Sequence, residues 1–88
     1  MQEVYGVAAF RSRQQVLRFE QTLRQQGINV RVVSTPRDIS MGCGLSVRFN
    51  VEDAEKVRRA LKMGDHGNLI GIYRAEYDGV RLKVSPFR

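Results

Sequence analysis

The hydrophobic residues of this 88-residue chain change their spacing in a fixed order, and this order constrains the fold more than any other feature. Two segments have the spacing of amphipathic helices, and apolar runs typical of β-strands precede, separate and follow them. The resulting order is β-α-β-β-α-β, with a fifth short strand after it. Because the chain is short and contains no linker or repeat, we expect a single α+β domain over residues 1–88.

Five short runs are predicted as strands because they are apolar, or alternate apolar with polar residues, between turn-forming residues. They are Val4–Phe10, Ile28–Val33, Leu45–Phe49, Leu69–Tyr73 and Val80–Val84. The first run is apolar throughout, as expected for a buried strand, whereas the second and third alternate as half-buried strands do. The pair Asp78-Gly79 between the last two runs predicts a hairpin with a two-residue turn.

Two segments carry the terminal signals of helices in addition to helical spacing. Ser12 is the predicted N-cap of the first helix, with Gln15 three residues later, and Gly27 provides its left-handed end. The second helix is predicted over Val51–Met63, with Asn50 as its cap. The residues expected to be buried are Val16, Phe19 and Leu23 in the first helix and Ala54, Val57 and Leu61 in the second.

The predicted order fits a ferredoxin-like βαββαβ sandwich. In this architecture an antiparallel sheet has two helices on one face, and here a C-terminal β-hairpin strand would be added to it. The opposite face would expose Arg31 and Arg48 from the two middle strands. That face could be solvated, bind a partner or pair two copies of the chain, and the sequence does not choose among these.

The composition is that of an ordinary globular domain, with 42% hydrophobic and 27% charged residues. No window approaches the roughly 20 apolar residues of a membrane span. The sequence Met1-Gln2-Glu3 lacks the features of a secretion signal. Together with the lack of a disulfide framework, this predicts a cytoplasmic protein with no membrane partner.

The net charge of +6 and the isoelectric point of about 10.3 suggest anionic partners. The charge is spread along the chain, however, which favours solvated helix faces over a nucleic-acid site. RNA-binding sheets of this topology stack bases on aromatic residues of the central strands. The third predicted strand offers only Phe49, which alternation directs into the core. The sequence therefore ranks nucleic acid as a weak partner.

Cys43 is the only cysteine, and it lies between Gly42 and Gly44 in a loop that begins at Thr35. A lone thiol cannot form an internal disulfide, so its chemistry must involve another molecule. As a thiolate it could take a sulfur atom from a persulfide and pass it to a second thiol. Arg37 is close enough in sequence to favour the thiolate. The alternative is that Cys43 only packs in the core, as free cysteines often do.

Other chemistries have less support in the sequence. His66 is the only histidine and could form a Cys–His pair with Cys43, but their separation in sequence neither supports nor forbids contact. One cysteine, one histidine and scattered carboxylates do not form a zinc set. We therefore predict no catalytic residue and no metal ligand.

Two sequence motifs resemble those of a known family. Thr-Pro-Arg-Asp-Ile-Ser at 35–40 and Cys-Gly-Leu-Ser-Val-Arg-Phe at 43–49 resemble the signature of the Putative Se/S carrier-like family of small bacterial domains. Asp38 and Ser46 differ modestly from that signature, and the resemblance covers the core at residues 4–74. The extension at residues 75–88, with its Asp-Gly hairpin, is not part of the family pattern.

The resemblance implies that Cys43 bears the cargo and that the neighbouring loop residues shape its surroundings. These supporting residues are Pro36, Arg37, Ser40, Gly42 and Gly44. The expected function is a sulfur or selenium carrier, not an enzyme, which holds a persulfide or selenopersulfide on Cys43 without another cofactor. The expected partners are a cysteine desulfurase or other thiol proteins. The alternatives are a protein-interaction module, including a homodimer, in which Cys43 is structural, and, more weakly, an RNA-binding domain.

Overall fold

The elements of the protein follow the predicted order in a computed structural model that describes residues 3–37, 39, 44–64 and 69–87. The strands are β1 (Glu3–Phe10), β2 (Val30–Ser34), β3 (Leu45–Phe49), β4 (Leu69–Tyr77) and β5 (Leu82–Pro86). The helices are α1 (Arg13–Gln25) and α2 (Ala54–Met63), and a 3₁₀ turn at Val51–Asp53 leads into α2. None of the described helices is long and apolar enough to cross a bilayer.

The described strands form one sheet in the order β2-β3-β1-β4-β5, and each neighbouring pair is antiparallel. Over the residues described, the protein is therefore a mixed α+β structure with a five-stranded antiparallel sheet and two helices. Strand bounds differ from the predicted ones mainly in the last part of the chain. There β4 continues four residues past Tyr73 to Tyr77, because it pairs with β1 along nearly its whole length.

Both helices contribute to one hydrophobic cluster with the same face of the sheet. In α1 the predicted residues Val16, Phe19 and Leu23 are buried, which confirms the helical spacing. In α2 the prediction was partly wrong, since Ala60 is buried and Leu61 only partly so. A 3₁₀ turn at Val51–Asp53 precedes α2, so the helix begins at Ala54 and not at Val51 as predicted. Ala60 and Leu61 follow Val57 by three and four residues, so both lie on its face of the helix.

The ends of α1 match the predicted terminal signals. The Ser12 hydroxyl accepts a hydrogen bond from the Gln15 backbone N–H (3.4 Å), and Gly27 has a left-handed φ of +79°. Asn50 occupies the N-cap position of the 3₁₀ turn that leads into α2, but its side chain makes no capping hydrogen bond. Instead the Asn50 carbonyl accepts the Asp53 N–H at 2.9 Å, which closes the 3₁₀ turn.

The carboxyl-terminal strand is tied to the core through Phe87. Its ring packs against Phe49, with 6.2 Å between ring centroids, and its N–H donates to the Ile72 carbonyl. Arg58 of α2 stacks over the same ring and donates to the Phe87 carbonyl at 3.0 Å. Residues beyond 74 therefore close one side of the hydrophobic cluster.

The β4–β5 hairpin is present, but its connection is longer than predicted. Tyr77 pairs with Leu82, so residues 78–81 lie between the strands instead of a two-residue turn. One carboxylate oxygen of Asp78 accepts the N–H groups of Val80 and Arg81, each at 2.8 Å. Through these two bonds the Asp78 side chain stabilises the connection, as aspartate side chains often do in turns.

We predict that the hairpin loosens in acid. Hydrogen bonds from the Arg81 and Val80 N–H groups lower the pKa of Asp78. A carboxylate with a lowered folded pKa stabilises the fold above its unfolded pKa of about 3.9, and this contribution is lost as pH falls through the folded pKa. In an NMR titration from neutral pH, the Val80 and Arg81 amide signals should shift together below about pH 4. Asp78→Ala should abolish this shift, and a shift that persists in this variant would contradict the assignment.

Candidate functional site

The two ends of the predicted site loop are joined by the sheet. β2 and β3 pair up to Ser34 opposite Leu45, and the Thr35 N–H then donates to the Gly44 carbonyl at 2.9 Å. The ladder therefore extends one pair beyond the strands. The segment 36–43 therefore leaves the sheet and returns to it at two hydrogen-bonded residues, which fixes the distance between the two ends of the loop.

A buried hydrogen bond between hydroxyl groups reinforces this base of the loop. Thr35 Oγ1 and Ser46 Oγ lie 2.6 Å apart, and the two residues are 9% and 0% exposed. Gly44 packs beside them, since a Cβ at this glycine would lie 3.1 Å from Thr35 Oγ1. Position 44 therefore favours glycine in part because a larger side chain would crowd the Thr35 hydroxyl. We call Thr35, Gly44 and Ser46 the loop base.

The loop begins with a turn. The Ile39 N–H donates to the Pro36 carbonyl at 3.0 Å, and Arg37 lies within this turn with an exposed side chain. An exposed guanidinium at this position can meet an anionic group on an incoming partner.

The structure describes only part of the predicted site. Pro36 and Arg37 lie at one end of the loop, and Gly44 lies at the other end, where it is bonded to Thr35. The other predicted site residues, Cys43, Ser40 and Gly42, lie outside the described residues, as does His66. Among the described residues no group of three or more His, Cys, Asp or Glu side chains could hold a metal ion.

Sequence reasoning missed the hydroxyl pair of the loop base. Ser46 occupies an outward position in the predicted alternation of β3, and yet it is fully buried. The available signal was that hydroxyl residues flank both ends of the loop, in Ser34-Thr35 and at Ser46. The strand register was needed to show that Thr35 and Ser46 meet.

One of three comparisons with known proteins identifies a family. Searches of curated proteins and of solved structures gave no match. A family model described as "Putative Se/S carrier protein-like" matches residues 5–74. This span includes both helices, β2, β3 and the whole site loop, together with most of β1 and most of β4. Since the match covers most of the chain, the protein belongs to this Se/S carrier-like family.

Proposed function

We propose that the protein is a carrier that holds sulfur or selenium on Cys43 and passes it to another thiol protein. Membership of the Se/S carrier-like family carries this proposal, because the matched residues include the entire loop from Thr35 to Gly44. The loop base supports it, since Gly44, the residue after Cys43, is hydrogen-bonded to Thr35 at the edge of the sheet. A fixed base presents a short loop to a partner at low entropic cost.

We also infer a ferredoxin-like arrangement of the sheet. β3 lies between β1 and β2, while β1 lies between β3 and β4. All these contacts are antiparallel, so β1 runs parallel to β2, and β3 runs parallel to β4. Two interleaved β-α-β units of this kind support the split arrangement of the ferredoxin-like fold.

The proposed transfer is an exchange at a sulfur–sulfur bond. The Cys43 thiolate attacks the terminal sulfur of a persulfide on a donor such as a cysteine desulfurase. The donor S–S bond breaks, the donor leaves as a thiolate, and a persulfide forms on Cys43. An acceptor thiolate then attacks the terminal sulfur and regenerates the Cys43 thiolate. One zero-valent sulfur moves in each step, so the relay needs no external oxidant or reductant.

The remaining loop residues have supporting roles in this proposal. Arg37, which is exposed at the start of the loop, would favour the thiolate and the anionic persulfide. Pro36, Ser40, Gly42 and Gly44 would shape the loop. Backbone N–H groups near the two glycines would hold the anionic sulfur. The proposal places the carrier in the cytoplasm, where thiols are kept reduced.

Intact-mass measurement after incubation with a cysteine desulfurase and cysteine tests the proposal. We expect the protein to gain the mass of one sulfur atom, and the gain to disappear in Cys43→Ser and after treatment with a reductant. Arg37→Gln should load more slowly, whereas Arg59→Gln, an equal charge change at an exposed position of α2, should load normally. A wild-type protein that gains no sulfur under conditions that load a known carrier would refute the proposal.

A further inference from the structure

The aromatic residues of this protein are sorted by type between the two faces of the sheet. All four phenylalanines belong to the helix side or pack against its cluster, at positions 10, 19, 49 and 87. The three tyrosines, Tyr5, Tyr73 and Tyr77, lie on the other side. This follows from alternation, since Ala8 belongs to the cluster and Tyr5 and Val7 therefore point away from it. Val7 pairs with Tyr73, and Glu3 pairs with Tyr77.

We call the side of the sheet opposite the helices the open face. No described helix covers it, and several small residues lie at its centre. Those small residues are Val7, Ala9, Ser46 and Ala75, and each is fully buried. The tyrosines above them stay partly accessible, with Tyr77 39% exposed. Tyrosine presents a large apolar ring with a polar end, which makes it a frequent contact residue in binding surfaces.

The three tyrosines form a row across β1 and β4. In the register Tyr5 lies opposite Ala75, so Tyr73 and Tyr77 are each offset by two residues from Tyr5 on the neighbouring strand. Diagonal neighbours of this kind are about 7–8 Å apart, within reach of one another's side chains. The Tyr77 hydroxyl donates to the Gly79 carbonyl at 3.0 Å, which restrains one end of the row.

The Tyr73 ring lies across the backbone of its own strand. A Cβ at Gly71 would come within 3.0 Å of the Tyr73 hydroxyl oxygen and 3.1 Å of two ring carbons. The absence of a side chain at Gly71 therefore leaves space for the end of the Tyr73 ring. Tyr73 is only partly buried, so a planar ligand can reach its ring on the open face.

Two arginines lie directly opposite each other beside this row. Arg31 of β2 pairs with Arg48 of β3 on the open face. Like charges at directly opposite positions destabilise a sheet. The Arg48 guanidinium stacks over the Tyr5 ring at 3.9 Å from its centroid and lies 3.8 Å from the exposed Glu3 carboxylate. The exposed Glu3 carboxylate offsets the charge of the two guanidinium groups only in part. A bound anion would therefore stabilise the arginine pair.

The same arginines line a polar cleft of about 330 Å³ at this end of the sheet. Asn29 and Asn50 add amide groups to its wall, and Glu3 is the acidic residue there. The cleft therefore joins hydrogen-bond donors and positive charge to the row of tyrosines through the Arg48–Tyr5 contact. Phosphate groups match the hydrogen-bond donors and positive charge of the cleft, and aromatic bases match the row of tyrosines.

We propose that the open face binds single-stranded nucleic acid, with bases stacked on Tyr73 and Tyr77, and with phosphates held by Arg31 and by Arg48, which itself stacks on Tyr5. Nucleic acid was predicted to be a weak partner because β3 lacks outward aromatic residues, but here the aromatic residues come from β1 and β4. The net charge of +6 favours an anionic polymer over a second copy of this chain. This proposal is independent of sulfur transfer by Cys43.

Fluorescence anisotropy with a labelled single-stranded RNA of about eight nucleotides tests the proposal. At physiological salt we expect a dissociation constant in the range of about 10⁻⁴–10⁻⁶ M, and tighter binding as salt is lowered. Tyr73→Ala should weaken binding about tenfold, while Tyr73→Phe, which keeps the ring, should bind nearly as the wild type does. If Tyr73→Ala does not fold, Tyr77→Ala at the more exposed position should give a loss of several-fold.

A charge-matched pair of variants separates this site from general basicity. Arg31→Gln should reduce the slope of log affinity against log salt by about 1, whereas Arg59→Gln on the helix side should leave affinity nearly unchanged. Equal effects of these two variants, or no effect of the tyrosine variants, would overturn the proposal. So would the absence of RNA binding at low salt. Analytical ultracentrifugation showing a dimer that Tyr77→Ala dissociates would assign the face to a second copy instead.

Discussion

Replacing Gly6 by alanine is expected to destabilise the protein by about 2–3 kcal/mol. Elsewhere in a strand the same change is usually favourable, because glycine loses more conformational freedom on folding. Here a Cβ would overlap the Phe49 ring, which is 1% exposed. Gly6 lies directly opposite Phe49 in the β1–β3 register. The ring packs over the glycine in the space that a side chain would otherwise fill, and Phe87 packs against the same ring.

Equilibrium unfolding in urea measures this effect, since a lower midpoint at unchanged slope reports a loss of stability. The companion variant is Phe49→Leu, which removes the ring that the new methyl group would meet. In that background Gly6→Ala should cost clearly less than in the wild type, and the difference is the coupling energy between the two positions. A Gly6→Ala protein as stable as the wild type would show that Phe49 can move aside, and it would contradict the close packing described above.

This glycine illustrates what sequence can predict about the fold. The alternation of β2 and β3, the spacing of α1 and the signals at Ser12 and Gly27 are local, and they gave the elements correctly. The reason for a glycine inside the apolar run 4–10 is not local, because it depends on which residue of β3 lies opposite. The late start of α2 and the wider β4–β5 connection likewise depend on hydrogen bonds that periodicity does not reveal.

The candidate site likewise has features that the sequence predicts and features that depend on strand pairing. The sequence located both ends of the loop, at Pro36-Arg37 and at Gly44, because proline and glycine mark turns directly. It missed the Thr35–Ser46 pair and the row of tyrosines, since both arise only when strands distant in sequence are placed side by side. The role of Cys43 stays a prediction, which the sulfur-loading experiment tests.

The second large effect is expected at the loop base. Thr35→Val keeps the shape of the side chain but removes the hydroxyl that meets Ser46 at 2.6 Å. Ser46 is fully buried, so its hydroxyl would be left without a partner in the protein interior. Leaving a buried polar group unpaired costs about 1–3 kcal/mol, and we expect a loss near the middle of this range in urea unfolding. Thr22→Val is the matched control, since the Thr22 hydroxyl bonds the Arg18 carbonyl at an exposed position, and it should change stability by less than about 0.5 kcal/mol.

The double variant Thr35→Val with Ser46→Ala decides the cause of this loss. If the unpaired hydroxyl is responsible, removing both hydroxyls should restore most of the stability that the single variant loses. If the cost comes instead from altered packing at Thr35, the two changes should simply add. Hydrogen exchange at the Thr35 N–H, which donates to Gly44, should become faster in the single variant and return toward the wild-type rate in the double variant. Because Gly44 directly follows Cys43, the rate of sulfur loading should change in the same order if a fixed loop base is what presents the thiol to its partners.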